Sequence, residues 1–195
     1  LAACAQGGAD APTAGARPTI VSLNPCTDAI LADVTAPGQL LAISHYSKDP
    51  RSSSMPAEQA SRYRATGGTV EEVLALDPDV VVAGSFIAPA TRAALEDLGM
   101  QVVTFGLASD VASSEEQIRE LASLAGNPQA GQRLIERIGA ALTEAEAPDG
   151  RAVDVLLWQP GGIVAGEQSL VSDLLARTGF TNGAPARGLS QADYV

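Results

Sequence analysis

Short apolar runs alternate with amphipathic stretches over the first hundred residues. Residues 19–23 (TIVSL) form an apolar run that Asn24-Pro25 breaks. A helix is predicted over 25–34, with Asn24 and Thr27 both available as its cap. Pro37-Gly38 predicts a turn, 40–44 (LLAIS) a second strand, and HYSKDPRSSSMP a polar loop. After a turn at Gly67-Gly68, Thr69 with Glu72 fits a capping box opening a helix over 70–76, which Asp77-Pro78-Asp79 stops. Residues 80–83 are all apolar. A strand without alternation is expected where both faces of a parallel sheet are covered. An amphipathic helix over 89–98 ends at Gly99, and 101–105 read as the next strand. This repeated strand–helix alternation predicts a parallel α/β unit.

The pattern then changes. Between 113 and 147 no strand pattern occurs. Ser113 with Glu116 offers a second capping box, for a helix over 115–125 that ends at Gly126-Asn127-Pro128. Leu134, Ile135, Ile138, Ala141 and Leu142 recur at helical spacing, so a long helix is predicted from 128 to 146, closed by Pro148-Asp149-Gly150. A strand over 152–158, a Gly-rich turn and a helix over 170–178 follow. The fold class predicted is α/β, divided into a linker (1–17), an N-terminal α/β lobe (18–110), a helical connector (111–148) and the start of a C-terminal α/β lobe (151–195). One clear strand cannot close a sheet. The second lobe therefore reads as incomplete, either because the chain is cut or because its partner strands come from elsewhere, and the cut is favoured.

Charge narrows the partners. The 195 residues carry 23 acidic against 12 basic side chains, a net charge of −11. That balance argues against nucleic acid and against adsorption to anionic lipid. No apolar run approaches the length of a membrane span. The start, Leu1-Ala2-Ala3-Cys4 followed by AQGGADAPTAGARP, resembles the end of a bacterial lipoprotein signal. It implies a lipid on Cys4 as the sole membrane contact, and a folded body held outside the cytoplasmic membrane. Cys26 then reads as a small buried hydrophobe or a loop thiol, with a Cys4–Cys26 disulfide left open. His45 is the only histidine, which excludes a multi-histidine metal site and leaves a single contact to an already chelated metal open. No phosphate-binding glycine motif and no GxSxG elbow occurs, so an enzyme has no constellation to stand on.

Four segments carry a resemblance: SLNPCTDAIL, ISHYSKDP, TVEEVLALDPDVVVAG and LLWQPGGIVAGEQSLVSDLLARTGF. In this order and spacing the chain resembles, from Thr19 to Val195, the periplasmic substrate-binding proteins of ABC importers for cobalamin, ferric siderophores or haem. Asp28 stands where that family commonly has Glu. The resemblance implies two Rossmann-like lobes joined by a long backbone helix, in the class III manner. It implies no intrinsic cofactor, a metal chelate as ligand in the cleft between lobes, and delivery to a permease dimer in the inner membrane. The implied ligand contacts are Asn24, Cys26, Thr27, His45, Tyr46, Ser47, Ser85, Phe86, Phe105, Trp158 and Gln159. Glu71, on the short helix of the first lobe, is the implied docking acid for permease arginines. Its C-lobe counterpart is not found around Gln191-Ala192-Asp193. Two other readings stay open: a lipoprotein of the same fold that senses or assembles without transport, and an α/β hydrolase.

Overall fold

The computed structural model describes residues 17–146, 152–159, 161–189 and 193–194. Cys4 and the start of the chain lie outside the described residues, as does most of the 191–193 segment.

The first unit is an all-parallel sheet. β1 (Ile20–Ser22) leads into α1 (Pro25–Val34), β2 (Leu40–Ser44) and a 3-10 turn (His45–Lys48). α2 (Ala57–Ser61), β3 (Arg64–Thr66), α3 (Val70–Leu74), β4 (Val80–Gly84), α4 (Pro89–Asp97) and β5 (Gln101–Phe105) follow. The strand order is β3-β2-β1-β4-β5. β1 pairs with both β2 and β4, so the direction of winding reverses between β1 and β4.

Alternation inside the apolar strands divides the core. Val80 and Val82 point to one face, with Ile20 and Ile43, against Leu31 and Val34 of α1. Val81 points to the other face, with Val21 and Ala42, against Val73 of α3 and Leu95 of α4. Each strand thus feeds two cores, which is why its sequence shows no polar face. The entry to β1 and β4 is clamped. Asp79 Oδ2 accepts from Thr19 N (2.7 Å) and Oγ1 (2.8 Å), while Thr19 Oγ1 accepts from Asp79 N (3.0 Å). These bonds hold the Asp79 carboxyl below its usual range.

α5 (Val111–Leu124) and α6 (Pro128–Glu144) cover the first face with Ile118, Leu121, Ala122, Leu134 and Ile135. They meet closely at Gly131, where a Cβ would lie 2.5 Å from the Ala122 Cβ. The second unit is smaller. β6 (Val153–Val155), α7 (Leu170–Arg177) and β9 (Phe180–Asn182) make a parallel crossover. β7 (Trp158–Gln159), β8 (Ile163–Val164) and β10 (Asp193–Tyr194) make an antiparallel sheet. The two units touch where Asp173 Oδ2 of α7 accepts from Val111 N (2.8 Å) at the start of α5.

Several expectations need correction. Residues 57–66, left without an element between the polar loop and the Gly67-Gly68 turn, form α2 and β3, because a short edge strand with the sequence RAT has no apolar pattern to reveal it. Helix α5 starts four residues early: Asp110 is its cap and forms the box with Ser113, so Ser113 is not the cap itself. Thr69 does accept from Glu72 N (3.3 Å), but the Glu72 carboxylate turns back to Thr66 Oγ1 (2.9 Å) and Gly67 N (2.7 Å). The apolar run 152–158 is two strands of different sheets, not one.

Candidate functional site

The carboxyl ends of β1 to β4 frame a cleft of about 530 Å³. It lies at the reversal between β1 and β4, where loops diverge and open α/β sheets bind ligands. Asn24 stands at this point. It caps α1, its Oδ1 accepting from Cys26 N (2.8 Å). Its amide lies over Gly84 at the end of β4, where a Cβ would come within 2.7 Å of Asn24 Nδ2. Gly84 is therefore the residue that lets the Asn24 amide cross the reversal.

The second wall is the turn after β2. Ser44 Oγ accepts from Tyr46 N (3.3 Å), which sets the turn. His45 Nδ1 lies 3.3 Å from Thr66 O at the end of β3, and a donating Nδ1 leaves Nε2 free to accept. The His45 and Tyr46 rings stack with centroids 4.0 Å apart and planes at 35°. Tyr46 and Phe86, both on the cleft lining, are 55% and 81% exposed. Large aromatic faces left this open are available for a flat or apolar ligand.

Asp28 supports this wall from below. It is fully buried, and its Oδ2 accepts from Ser44 N (2.9 Å) and Ser47 Oγ (2.6 Å). Oδ1 has no hydrogen-bond partner among the described residues. Burial raises the carboxyl to about 7, against the opposing pull of the Ser22 and Ser47 hydroxyls and the Ser44 N–H. The Ser22 hydroxyl makes its own hydrogen bond to Thr27 (2.9 Å). Sequence reasoning passed over Asp28 as a functional residue. Its spacing before Leu31 put it on the buried face of α1, a signal strong enough to find it.

Of the residues predicted to contact ligand, Asn24, His45, Tyr46 and Phe86 come together on the cleft. Thr27 is buried, its hydroxyl engaged with Ser22 and with Asn24 O (3.0 Å). Ser47 is buried on Asp28, and Phe105 is buried in the core beside α1 and α5. None of these three reaches the cleft, because each side chain is spent on packing beneath it. Cys26 is exposed on the first turn of α1, neither a buried hydrophobe nor a loop thiol, and does not line the cleft. Ser85 is exposed beside the cleft without lining it, and its N–H donates to Phe105 O (2.8 Å). Trp158 and Gln159 lie on β7 of the second unit and do not line it either. Thr66 to Gly68 and Thr91 line it and were missed. Thr66 ends β3, which was not legible, Gly67 and Gly68 follow it, and Thr91 sits on α4.

Glu71 is exposed on α3. Among the described residues, no group of His, Cys, Asp and Glu is placed to hold a metal ion, and no helix is long and apolar enough to cross a membrane. A second depression between α5 and α7 is lined by Asp110, Glu167 and Asp173. Asp110 and Asp173 are engaged there with helix N–H groups, and Asp173 also with Arg177 (2.9 Å).

A profile of the periplasmic binding protein family matches residues 20–195. The chain belongs to this family. No curated protein matches it closely. Among solved structures, the periplasmic heme-binding protein RhuT from Roseiflexus sp. RS-1 is 20% identical with a TM-score of 0.70, over 92% of this chain and 71% of that one. A possible iron-binding, periplasmic solute-binding protein from Staphylococcus epidermidis is 14% identical with a TM-score of 0.72, over 92% and 72%. The periplasmic vitamin B12 binding protein BtuF of Vibrio cholerae is 20% identical with a TM-score of 0.65, over 91% and 69%. At these identities the likeness establishes the fold. It is the fold expected from the sequence, that of the class III periplasmic binding proteins.

Proposed function

We propose that this protein is the extracytoplasmic solute-binding component of an ABC importer, capturing a metal chelate in its cleft and delivering it to a membrane permease. The observation that carries the reading is the cleft at the strand reversal, with Tyr46 and Phe86 presenting open aromatic faces beside hydrogen-bonding groups of Asn24, His45 and Thr91. Such a lining suits a large, partly apolar ligand with polar edges. The similar structures named for haem, vitamin B12 and iron support the same class of cargo. Carriage needs no chemistry on the ligand, so the function is binding rather than catalysis. In this reading Trp158 and Gln159, outside the cleft lining of the first unit, meet the ligand from the second unit, Glu71 docks on permease arginines, and a lipid on Cys4 keeps the protein near its permease at raised effective concentration.

Calorimetry with cobalamin, haem and ferric siderophores tests the reading. One of these chelates should bind, and Tyr46→Ala with Phe86→Ala should weaken it at least about tenfold, the loss of roughly 1.4 kcal/mol or more. The reading is overturned if no chelate binds. Glu71→Arg should impair transport while leaving ligand affinity unchanged.

A further inference from the structure

Resting on that reading, we infer that the cleft selects a chelate without net negative charge, one whose edge offers amide, hydroxamate or carbonyl groups. Among the described residues that line it, none is Asp, Glu, Lys or Arg. The wall is apolar surface with the Asn24 amide, the Thr91 hydroxyl, the Tyr46 phenol and the His45 ring as its hydrogen-bonding groups, while the Ser44 and Thr66 hydroxyls are already engaged with Tyr46 N and Glu72. The cations closest along the chain are committed elsewhere. Lys48 donates to the carbonyls of Ala60 and Tyr63, and Arg92 pairs with Glu96 (2.8 Å). Arg64 stands at the start of β3, away from the strand ends that form the cleft.

The side-chain charge bonded to the wall is negative. The Glu72 carboxylate accepts from Gly67 N (2.7 Å) and Thr66 Oγ1 (2.9 Å), both lining residues. The Thr66 hydroxyl and the Gly67 N–H hold that carboxyl below its usual range, so it stays ionised at neutral pH. The whole chain adds a field of net charge −11. A ligand carboxylate or catecholate entering here would be desolvated without a cationic partner and would meet like charge. A neutral chelate pays neither cost, and its edge groups find donors and acceptors in the wall. Cyanocobalamin and an uncharged ferric trihydroxamate share this chemistry. Haemin, with ionised propionates, and a ferric tris-catecholate do not.

Titration of the full chain with these four chelates at matched ionic strength tests the inference. At least one neutral chelate should bind at least about tenfold tighter than either anionic one. Thr91→Lys, which places a cation on the wall, and Glu72→Gln, which removes the anion behind it, should each raise affinity for the anionic chelates and narrow that ratio. An anionic chelate binding as tightly as both neutral ones overturns the inference while leaving the carriage function intact. Failure of all four to bind overturns both.

Discussion

Both sheet-bearing regions contain parallel strand–helix–strand crossovers, and they differ in how far these are buried. In the first, β1, β2 and β4 are paired on both edges, and helices cover both faces. Val21, Val81 and Ile43 are wholly inaccessible. In the second, β6 and β9 pair only with each other among the described residues, and α7 has no buried residue. Leu156, Leu157 and Trp158 remain 38%, 43% and 58% exposed. The strands of the second region are also less apolar, VDV and FTN against IVS, LLAIS and VVVAG. The number of neighbours each strand has separates the regions further, since a strand is buried by the strands beside it and the helices above and below it.

The comparison can be broken most sharply by truncating one leucine in each region. Leu121→Ala, in the core between α5 and the first sheet, should cost about 2–5 kcal/mol. Leu174→Ala on α7 should cost less than about 1 kcal/mol, because its side chain already meets solvent. Urea denaturation of both variants measures the pair, and equal losses would erase the distinction.

A second test asks whether the tight core of the first region extends under the cleft wall. Asp28 has a folded-state value of about 7 against an ordinary 3.8. Below pH 4 both folded and unfolded chains hold this proton, so the group is neutral to stability. Between about 4 and 7 the unfolded chain releases it while the folded chain keeps it, so stability falls as pH rises. Above 7 the loss levels off, on the order of a few kcal/mol. Asp28→Asn should remove this component. The stability difference between wild type and variant, followed from pH 4 to 8, should change in favour of the variant. A flat difference would mean that the carboxyl is not held in a dry site.

A third test sharpens the packing of the connector. Gly131→Ala places a methyl group against Ala122 and should cost about 1–3 kcal/mol. Ala122→Gly in the same chain should recover part of the loss, and an additive double variant would show that the two helices do not meet as tightly there as described.

Much of the first region was legible. Residues 25–34, 40–44 and 101–105 form their elements at the expected bounds, because Pro, Gly and strong apolar runs punctuate them. The edge strand β3 was not legible, because its three residues carry no periodicity and are held by backbone bonds to β2. The error at α5 has a similar origin. Asp110 and Ser113 both suit a cap, and the choice falls to Asp110 once Val111 is buried and its N–H is taken by Asp173 from another helix. At the candidate site, Asn24, His45, Tyr46 and Phe86 could be named from their positions after strands. Thr27, Ser47 and Phe105 share those positions but turn inward, a difference of side-chain direction rather than of sequence location.

The sequence by itself determined the α/β class, the order of the main elements, the family resemblance and an acidic chain without a multi-histidine metal site. These follow from local periodicity, turn residues and composition, all properties of neighbours along the chain. Only the tertiary structure decided that β1 and β4 lie side by side with the winding reversed between them, that Asn24 crosses onto Gly84, and that Asp28 is sealed beneath the Ser44–Ser47 turn. It also decided that the cleft wall presents neutral groups, with the Glu72 charge set just behind it. Each of these depends on contacts between residues far apart in sequence, fixed by strand pairing and by which way each side chain leaves its strand.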